Sequence, residues 1–214
     1  MSRIGVLAVQ GAFQKHAQML EQLGHEAVLL RAAADFSGIE GLVLPGGEST
    51  VQLQLIDRLD LRDPVEHLLA SGSPVLATCA GLILLANRVS QPEQASFARL
   101  DVAVTRNAWG RQLDSFEAQS DEPPLLPLVF IRAPRSDRVS TGVEVLARYR
   151  AEPVLVRQGS ITAATFHPEL TEDTRVHRAV FGQAGASSCA LASAANLPEA
   201  ATSSSNVPVS TMRP

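Results

Sequence analysis

A cysteine, a histidine and a glutamate in this sequence have the types and spacing of a nucleophilic site. Cys79 follows the apolar run Val75–Ala77 and precedes a second apolar run, so it lies where a buried strand gives way to a helix. The partial positive charge at a helix N-terminus favours thiolate over thiol, and the thiolate is the nucleophile. His167 and Glu169 flank Pro168, which favours extended geometry and puts both side chains on one side. The carboxylate would then orient the imidazole that activates the cysteine.

A glycine-rich turn is the second candidate element. The turn Pro45-Gly46-Gly47-Glu48-Ser49 follows the predicted buried strand Gly41–Leu44, and its glycines allow the backbone to approach a ligand closely. An N–H of this turn and that of Ala80 could jointly hold an oxyanion. Each feature alone has a simpler interpretation, since a lone cysteine is usually inert core and such a turn usually just ends a strand. Their joint occurrence favours catalysis.

The N-terminal half contains the elements that must position these residues. Apolar strands alternate with amphipathic helices there, which predicts a mostly parallel sheet covered on both faces. The predicted strands are Ile4–Val9, Glu26–Leu30, Gly41–Leu44 and the run ending before Cys79. Residues at helical spacing from Phe13 to Leu23 predict a helix that ends at Gly24. Two further helices are expected, with Ser49 and Asp63 as their N-caps.

The C-terminal half favours short strands with few helices, so antiparallel additions to the sheet are expected. The predicted strands are Asp101–Thr105, Ser115–Gln119, Leu128–Ile131, Val143–Ala147, Val154–Val156 and Ile161–Phe166, and a last helix covers Asp173–Phe181. Ser90–Arg99 and Ser120–Pro127 are interpreted as variable loops without catalytic residues. The stretch beyond Phe181 is rich in Ala, Ser and Thr, which predicts a mostly disordered tail.

Bulk properties narrow the function classes. A chain of 214 residues fits one sizeable α/β domain, and a net charge of -4 argues against nucleic acid or an anionic membrane as the main partner. No apolar run approaches the roughly 20 residues that span a bilayer. The two cysteines lie in different contexts, so a cytoplasmic, reducing location is expected. The remaining histidines His16, His25, His67 and His177 are scattered along the sequence, and no metal site is predicted.

Three motifs together resemble the class I, triad-type glutamine amidotransferases: Thr78-Cys79-Ala80-Gly81, the turn 45–50 and Phe166-His167-Pro168-Glu169. Within that family the sequence is closely similar to the glutaminase subunits of pyridoxal 5'-phosphate synthase. The branch-specific segments are Gly5–Ala12, Arg106-Asn107-Ala108-Trp109-Gly110-Arg111-Gln112, Ser115–Glu117, Phe130–Pro134 and His167–Asp173. The resemblance runs from about residue 3 to about residue 181 and does not extend into the tail.

The resemblance implies a fold and a division of the chain. The expected fold is α/β with a flavodoxin-like core: three layers, a mostly parallel central sheet with helices on both faces, and added antiparallel strands. Residues 1–181 would form the amidotransferase domain and residues 182–214 the tail.

The resemblance also implies a reaction. L-glutamine would be hydrolysed to glutamate and ammonia, and the ammonia would pass to the lyase subunit of the synthase in a hetero-oligomeric complex, without a cofactor. Cys79 would be the nucleophile, His167 the base and then the acid, and Glu169 the residue that orients His167. Gly47 and Ala80 would supply the oxyanion hole. The substrate would be held by Gly47, Glu48, Ser49, Arg106, Ile131 and Arg132.

Two alternatives stay open on the sequence: another cysteine hydrolase on a related fold, or a regulatory subunit that has kept the fold without the activity. Glu48 and the two arginines suit a small zwitterion better than a peptide, and the intact triad argues against a non-catalytic role. The glycines of the turn also predict that its peptide reorients when the partner docks, which would complete the oxyanion hole.

Overall fold

A seven-stranded sheet runs through the centre of the computed structural model, which describes residues 1–108 and 115–182. Its strands are β1 (Arg3–Leu7), β2 (Glu26–Leu30), β3 (Gly41–Leu44), β4 (Val75–Thr78), β10 (Glu144–Tyr149), β11 (Glu152–Gln158) and β12 (Ile161–Ala164). The spatial order is β10-β11-β12-β4-β3-β1-β2. Five neighbouring strands from β12 to β2 pair in parallel, while β11 and β10 add on in antiparallel fashion. The predicted sheet is therefore confirmed in both its parallel core and its antiparallel extension.

The layers on either side follow from the alternation of side chains along the strands. Leu42 and Leu44 of β3 pack into one hydrophobic cluster, and Val43 packs into the other, on the opposite face. The first face is covered by α2 (Ser49–Arg58), α3 (Arg62–Ala70) and α4 (Ala80–Leu85). The second is covered by α1 (Phe13–Gln22) and α5 (Arg175–Phe181). This confirms the three-layer α/β arrangement.

Two small sheets complete the described chain. One contains β5 (Ala86–Ser90), β6 (Leu100–Thr105) and β9 (Arg135–Val139), and the other pairs β7 (Phe116–Gln119) with β8 (Pro127–Phe130). The three-stranded sheet contributes to the first hydrophobic cluster and the β7–β8 pair to the second. Within the described residues, no helix is long and apolar enough to cross a membrane.

Several element boundaries differ from the sequence-based expectation. Ser49 is not an N-cap: Glu48 precedes the first residue of α2, and the Ser49 hydroxyl bonds to Gln94 instead. Asp63 is not an N-cap either, because α3 already begins at Arg62. Gly24 does follow the end of α1 in a left-handed conformation (φ 82°), as expected of a stop signal.

Strands β5 and β9 are absent from the sequence-based prediction. Both are short and mainly polar, with burial limited to Ala86 and Val89 in β5 and Ser136 in β9. Because a hydrophobic pattern reports burial, it gives little signal for such strands. The segment Trp109-Gly110-Arg111-Gln112 of the family motif and the predicted tail beyond Gly182 lie outside the described residues.

Gly81 provides a test of how tightly α4 packs on the sheet. A Cβ at this position would lie 2.1 Å from the backbone oxygen of Leu44, in a central strand that cannot give way. We expect Gly81→Ala to lower the free energy of unfolding by about 1–3 kcal/mol, because overpacking outweighs the better helix propensity of alanine. Urea denaturation measures the change. The matched control is Gly142→Ala, where no atom lies within 4 Å; equal stability of both variants would contradict the packing argument.

Candidate active site

Cys79 is held at the junction between β4 and α4 in a strained conformation. Its backbone has φ 47° and ψ −100°, a region that residues with a side chain rarely adopt, and such strain costs about 1–3 kcal/mol. Its N–H donates to the Ala164 carbonyl at 2.8 Å, so β12 fixes the turn from the neighbouring strand. The sulfur faces a cleft and lies 3.9 Å from the Ile131 carbonyl oxygen. The predicted strand-to-helix position of the cysteine is thus observed.

His167 and Glu169 follow β12 and lie beside Cys79. The Nδ1 of His167 is 2.7 Å from Glu169 Oε1, and both side chains are buried. Burial alone would lower the pKa of His167, but its hydrogen bonds to Cys79 and Glu169 outweigh burial and raise that pKa to about 10. The imidazole therefore favours the protonated form beside the sulfur, as in a thiolate–imidazolium pair.

The glycine turn is fastened to its surroundings at four backbone groups. The Pro45 carbonyl accepts from Gln52 Nε2 at 3.1 Å. The Gly46 N–H donates to Thr78 Oγ1 at 3.0 Å, and the Gly46 carbonyl accepts from the Ala12 N–H at 3.0 Å. The Glu48 N–H donates to Gln10 Oε1 at 2.8 Å. The end of β4, the start of α1 and two glutamine side chains thus hold the turn at the edge of the cleft.

The glycines of the turn are needed for close packing. A Cβ on Gly46 would lie 2.2 Å from Cε1 of His167, so any side chain there would displace the imidazole. Among the described residues, the N–H groups of Gly47 and Ala80 have no hydrogen-bond partner. Gly47 lines the cleft with Cys79, and Ala80 follows Cys79 in the sequence. Neither N–H is engaged by another acceptor, which is what a donor to a developing oxyanion requires.

The far wall of the cleft carries one carboxylate and two guanidinium groups. Arg106 Nη2 lies 2.9 Å from Glu48 Oε1, and Arg132 Nη1 lies 3.7 Å from Glu48 Oε2. The Arg106 side chain is only 10% exposed, whereas that of Arg132 is 48% exposed. Arg106 is therefore fixed against the acid, and Arg132 remains accessible. An anionic and a cationic group lie side by side, which suits a small zwitterion.

The cleft brings together most of the predicted site residues. Its lining includes the eight expected residues Gly47, Glu48, Ser49, Cys79, Arg106, Ile131, Arg132 and His167, with Ile83 and Asn107 in addition. Glu169 lies behind His167, and Ala80 is buried beneath Cys79. Among the described residues, no group of three or more His, Cys, Asp and Glu is arranged to hold a metal ion.

The sequence-based interpretation missed a group of polar residues around the site. Gln94, in the segment interpreted as a variable loop, accepts from the hydroxyls of Ser49 and Thr50 at 2.9 and 3.0 Å. Thr50 in turn accepts from Arg106 Nη1 at 3.2 Å. No local pattern marks Gln94, because its partners are more than forty positions away.

His16 and His177 are far apart in the sequence but adjacent in the structure. The fold brings them together behind Glu169, with 2.8 Å between His16 Nδ1 and His177 Nε2. A signal was present, because His16 occupies the apolar stripe of α1, where a histidine must be buried and needs a partner.

The SNO glutamine amidotransferase family matches residues 6–184. Curated relatives with the name "Pyridoxal 5'-phosphate synthase subunit PdxT" are similar over most of their length. The one from Kosmotoga olearia is 44% identical over 180 residues, which is 82% of this chain and 94% of the relative. The one from Frankia alni is 48% identical over 182 residues, 82% of this chain and 92% of the relative.

Solved structures agree with the sequence comparisons. One described as "Crystal structure of glutamine amidotransferase" matches with a TM-score of 0.76 and 45% identity, covering 82% of this chain and 95% of that chain. "Structure of PurLQS from Thermotoga maritima" matches with a TM-score of 0.58 and 16% identity, covering 80% and 90%, and shares the fold alone. These matches confirm the expected class I amidotransferase type of fold.

Replacing His167 tests whether the imidazole activates the sulfur. An unassisted thiol is only a few per cent thiolate at neutral pH, so we expect His167→Asn to slow alkylation of Cys79 by iodoacetamide about tenfold at pH 7. Mass spectrometry of the peptide that contains Cys79 separates this reaction from that of the other cysteine. His67→Asn, on an exposed position of α3, is the matched control. Equal alkylation rates for both variants would contradict the pairing.

Proposed function

Because this chain belongs to the SNO glutamine amidotransferase family, we propose that it is the glutaminase subunit of a pyridoxal 5'-phosphate synthase. It hydrolyses L-glutamine to L-glutamate and ammonia. The single observation that carries this proposal is a cleft with Cys79 and His167 on one wall, Glu169 behind His167, and Glu48 between two arginines on the opposite wall. A nucleophile and a zwitterion-binding wall in one cleft suit a free amino acid with a side-chain amide.

Substrate binding follows from the charges on that wall. The ammonium group of glutamine pairs with Glu48, and its carboxylate lies against the accessible guanidinium of Arg132 and the backbone at Ile131. Arg106 holds the Glu48 carboxylate in place from the other side. The side-chain amide is then directed along the cleft toward Cys79, past Gly47 and Ser49.

Acylation begins when the Cys79 thiolate attacks the amide carbon of the substrate. The C–S bond forms as the carbonyl π electrons move to oxygen, and the N–H groups of Gly47 and Ala80 stabilise the oxyanion. Each such donor typically lowers the barrier by about 3–4 kcal/mol. The protonated His167 transfers its proton to the nitrogen, the C–N bond breaks, and ammonia leaves behind a glutamyl thioester.

Hydrolysis repeats these steps with water. Neutral His167 accepts a proton from the water molecule as the water oxygen attacks the thioester carbon. The N–H groups of Gly47 and Ala80 hold the second oxyanion. Collapse releases glutamate and restores the thiolate beside the imidazolium. Glu169 stabilises the imidazole of His167 whenever it is charged and keeps the Nε2 of His167 directed at the sulfur.

The ammonia is consumed by a partner synthase subunit that builds the pyridoxal phosphate ring from a pentose phosphate and a triose phosphate. A channel between the subunits would keep ammonia from protonation in bulk water. A nucleophilic thiol also requires a reducing compartment, which supports a cytoplasmic location.

Partner docking offers a point of control at the Gly46–Gly47 peptide. Its carbonyl is engaged by the Ala12 N–H, so a change of orientation must break one backbone hydrogen bond, a cost of about 1 kcal/mol.

Ammonia release with and without the synthase partner tests the proposed function. We expect release from glutamine in the complex, and slower turnover by the chain alone because the oxyanion hole is completed on docking. No ammonia in the presence of the partner would overturn the proposed glutaminase. Equal turnover in both arms would overturn only the control by docking. A peptide substrate in a third arm tests the competing cysteine hydrolase.

Cys79→Ala identifies the nucleophile in the same assay. We expect ammonia release to fall by more than a thousandfold, because no other group can form the thioester, while binding of the partner is unchanged. Cys189→Ala is the matched control, since these are the two cysteines of the sequence. Activity of Cys79→Ala within tenfold of wild type would exclude the assigned role.

Glu48→Gln tests the recognition of the substrate ammonium group. Losing a charged hydrogen-bond partner costs about 1.5–3 kcal/mol, so KM for glutamine should rise at least tenfold with a much smaller change in kcat. The matched control is Glu66→Gln on α3, a surface carboxylate 3.8 Å from Arg62. A fall in kcat with KM unchanged would instead assign Glu48 to the chemical steps.

A further inference from the structure

Two buried histidines lie behind Glu169, on the side away from the cleft. His16 comes from α1 and His177 from α5, and both are 0% exposed. Their rings face each other, with 2.8 Å between His16 Nδ1 and His177 Nε2. Neither histidine lines the cleft, so the glutaminase mechanism described above does not use them.

The other ring nitrogen of His16 lies between two oxygen atoms. Its Nε2 is 3.3 Å from Glu169 Oε2 and 3.1 Å from Thr78 Oγ1. A bare Nε2 would set its lone pair against a carboxylate oxygen, so this nitrogen carries a proton. The N–H is directed mainly at Thr78, because no donor among the described residues has hydrogen-bond geometry to Glu169 Oε2. Thr78 therefore takes the hydrogen bond, and the same N–H lies in close electrostatic contact with Glu169 Oε2.

His177 keeps that proton in place. Burial lowers the pKa of His177 to about 3, and repulsion from His16 acts in the same direction. Attraction to Glu169 opposes both but is weaker, so His177 is neutral. A neutral His177 that donates its Nε2–H to His16 Nδ1 leaves the proton of the His16 ring on Nε2. Glu169 and His177 are the titratable groups that directly contact His16, and His167 is next beyond Glu169.

The two acceptors belong to the two halves of the catalytic site. Glu169 orients His167, while Thr78 Oγ1 also accepts the Gly46 N–H and so anchors the turn that supplies the Gly47 donor. Burial alone would raise the pKa of the Glu169 carboxyl, but attraction to His16 and His167 outweighs burial and holds that pKa well below its usual range. His16 therefore contacts both the charge that steers the base and the hydroxyl that steers the oxyanion hole.

We propose that His16 is a positioning residue that couples the Glu169–His167 pair to the glycine turn through its Nε2–H, which donates to Thr78 and contacts the Glu169 carboxylate. His177 supports it by holding the opposite ring nitrogen. The inference rests on the proposed glutaminase function and deepens it, because it makes the base and the oxyanion hole interdependent.

His16→Leu, His16→Gln and Thr78→Val test the coupling in the complex with the synthase partner. We expect His16→Leu to lower kcat about 10- to 100-fold with KM for glutamine within threefold, a loss typical of second-layer partners of catalytic groups. His16→Gln keeps an N–H donor and should recover most of the loss. His67→Leu is the matched control, because it makes the same change on an exposed position of α3.

The pH profile of kcat/KM separates positioning from packing. Without His16 the pKa of Glu169 rises, so Glu169 becomes protonated at a higher pH and the acid limb should move upward by at least half a pH unit. Thr78→Val removes the anchor of Gly46 but keeps the contact between His16 and Glu169. It should lower kcat while leaving the acid limb in place, and a packing role would not produce that contrast.

Two results would overturn the coupling. One is a His16→Leu enzyme within twofold of wild type and with the same acid limb. The other is an equal loss in His16→Leu and His16→Gln with the limb unmoved in both. If His16→Leu does not fold, the other two variants decide the question. A wild-type kcat in Thr78→Val would overturn the inference. A tenfold loss of kcat in His16→Gln with the acid limb of its pH profile unmoved would also overturn it.

The rate of Cys79 alkylation against pH separates this inference from the proposed function. If the wild-type complex releases no ammonia, the glutaminase proposal fails, yet alkylation of the chain alone still reports the state of His167 and Glu169. His16→Leu should then show an upward shift in the acid limb of alkylation, and an unchanged alkylation profile would overturn the coupling.

Discussion

The site depends on one buried negative charge, the carboxylate of Glu169. It is 2% exposed, and an unpaired ion at such depth costs several kcal/mol. Imidazoles on two sides offset that cost, with His167 at 2.7 Å and His16 at 3.3 Å. Because its pKa is depressed, the ionised carboxylate stabilises the folded chain at neutral pH, and this contribution is lost as the pH falls toward that pKa. The pairing fixes His167 and therefore the charge state of the group beside the cysteine sulfur.

The parallel sheet brings the parts of the site together at one edge. The chain beyond β1 supplies the Ala12 N–H, the turn after β3 supplies Gly47, Cys79 follows β4, and His167 follows β12. These strands are neighbours and parallel, so their carboxyl ends meet, as is general for sites in open α/β sheets. Residues nearly ninety positions apart, Cys79 and His167, thus become partners without a long loop.

The turn between β3 and α2 joins the catalytic and the binding parts of the cleft. Gly46 lies against His167, Gly47 offers its N–H, and Glu48 meets the two arginines. Each of these contacts requires a particular backbone position, and four hydrogen bonds to the backbone of the turn, three of them with side chains, hold it there. In the proposed reaction, a shift of the turn would therefore alter substrate binding and oxyanion stabilisation at the same time.

The sequence by itself determined the parallel core, the position of Cys79 between β4 and α4, and the closeness of His167 and Glu169. It could do so because those features are local: apolar runs report buried strands, and residues two apart in an extended segment share a side. The resemblance to the family, rather than local pattern, indicated most of the cleft residues. Tertiary structure alone decided that His16 and His177 lie behind Glu169 and that Thr78 anchors Gly46. It also decided that Ser49 bonds to Gln94 and does not cap a helix, and that two polar segments form β5 and β9. These contacts join residues distant in sequence, and their partners are set by how strands and helices meet in space, which no local pattern encodes.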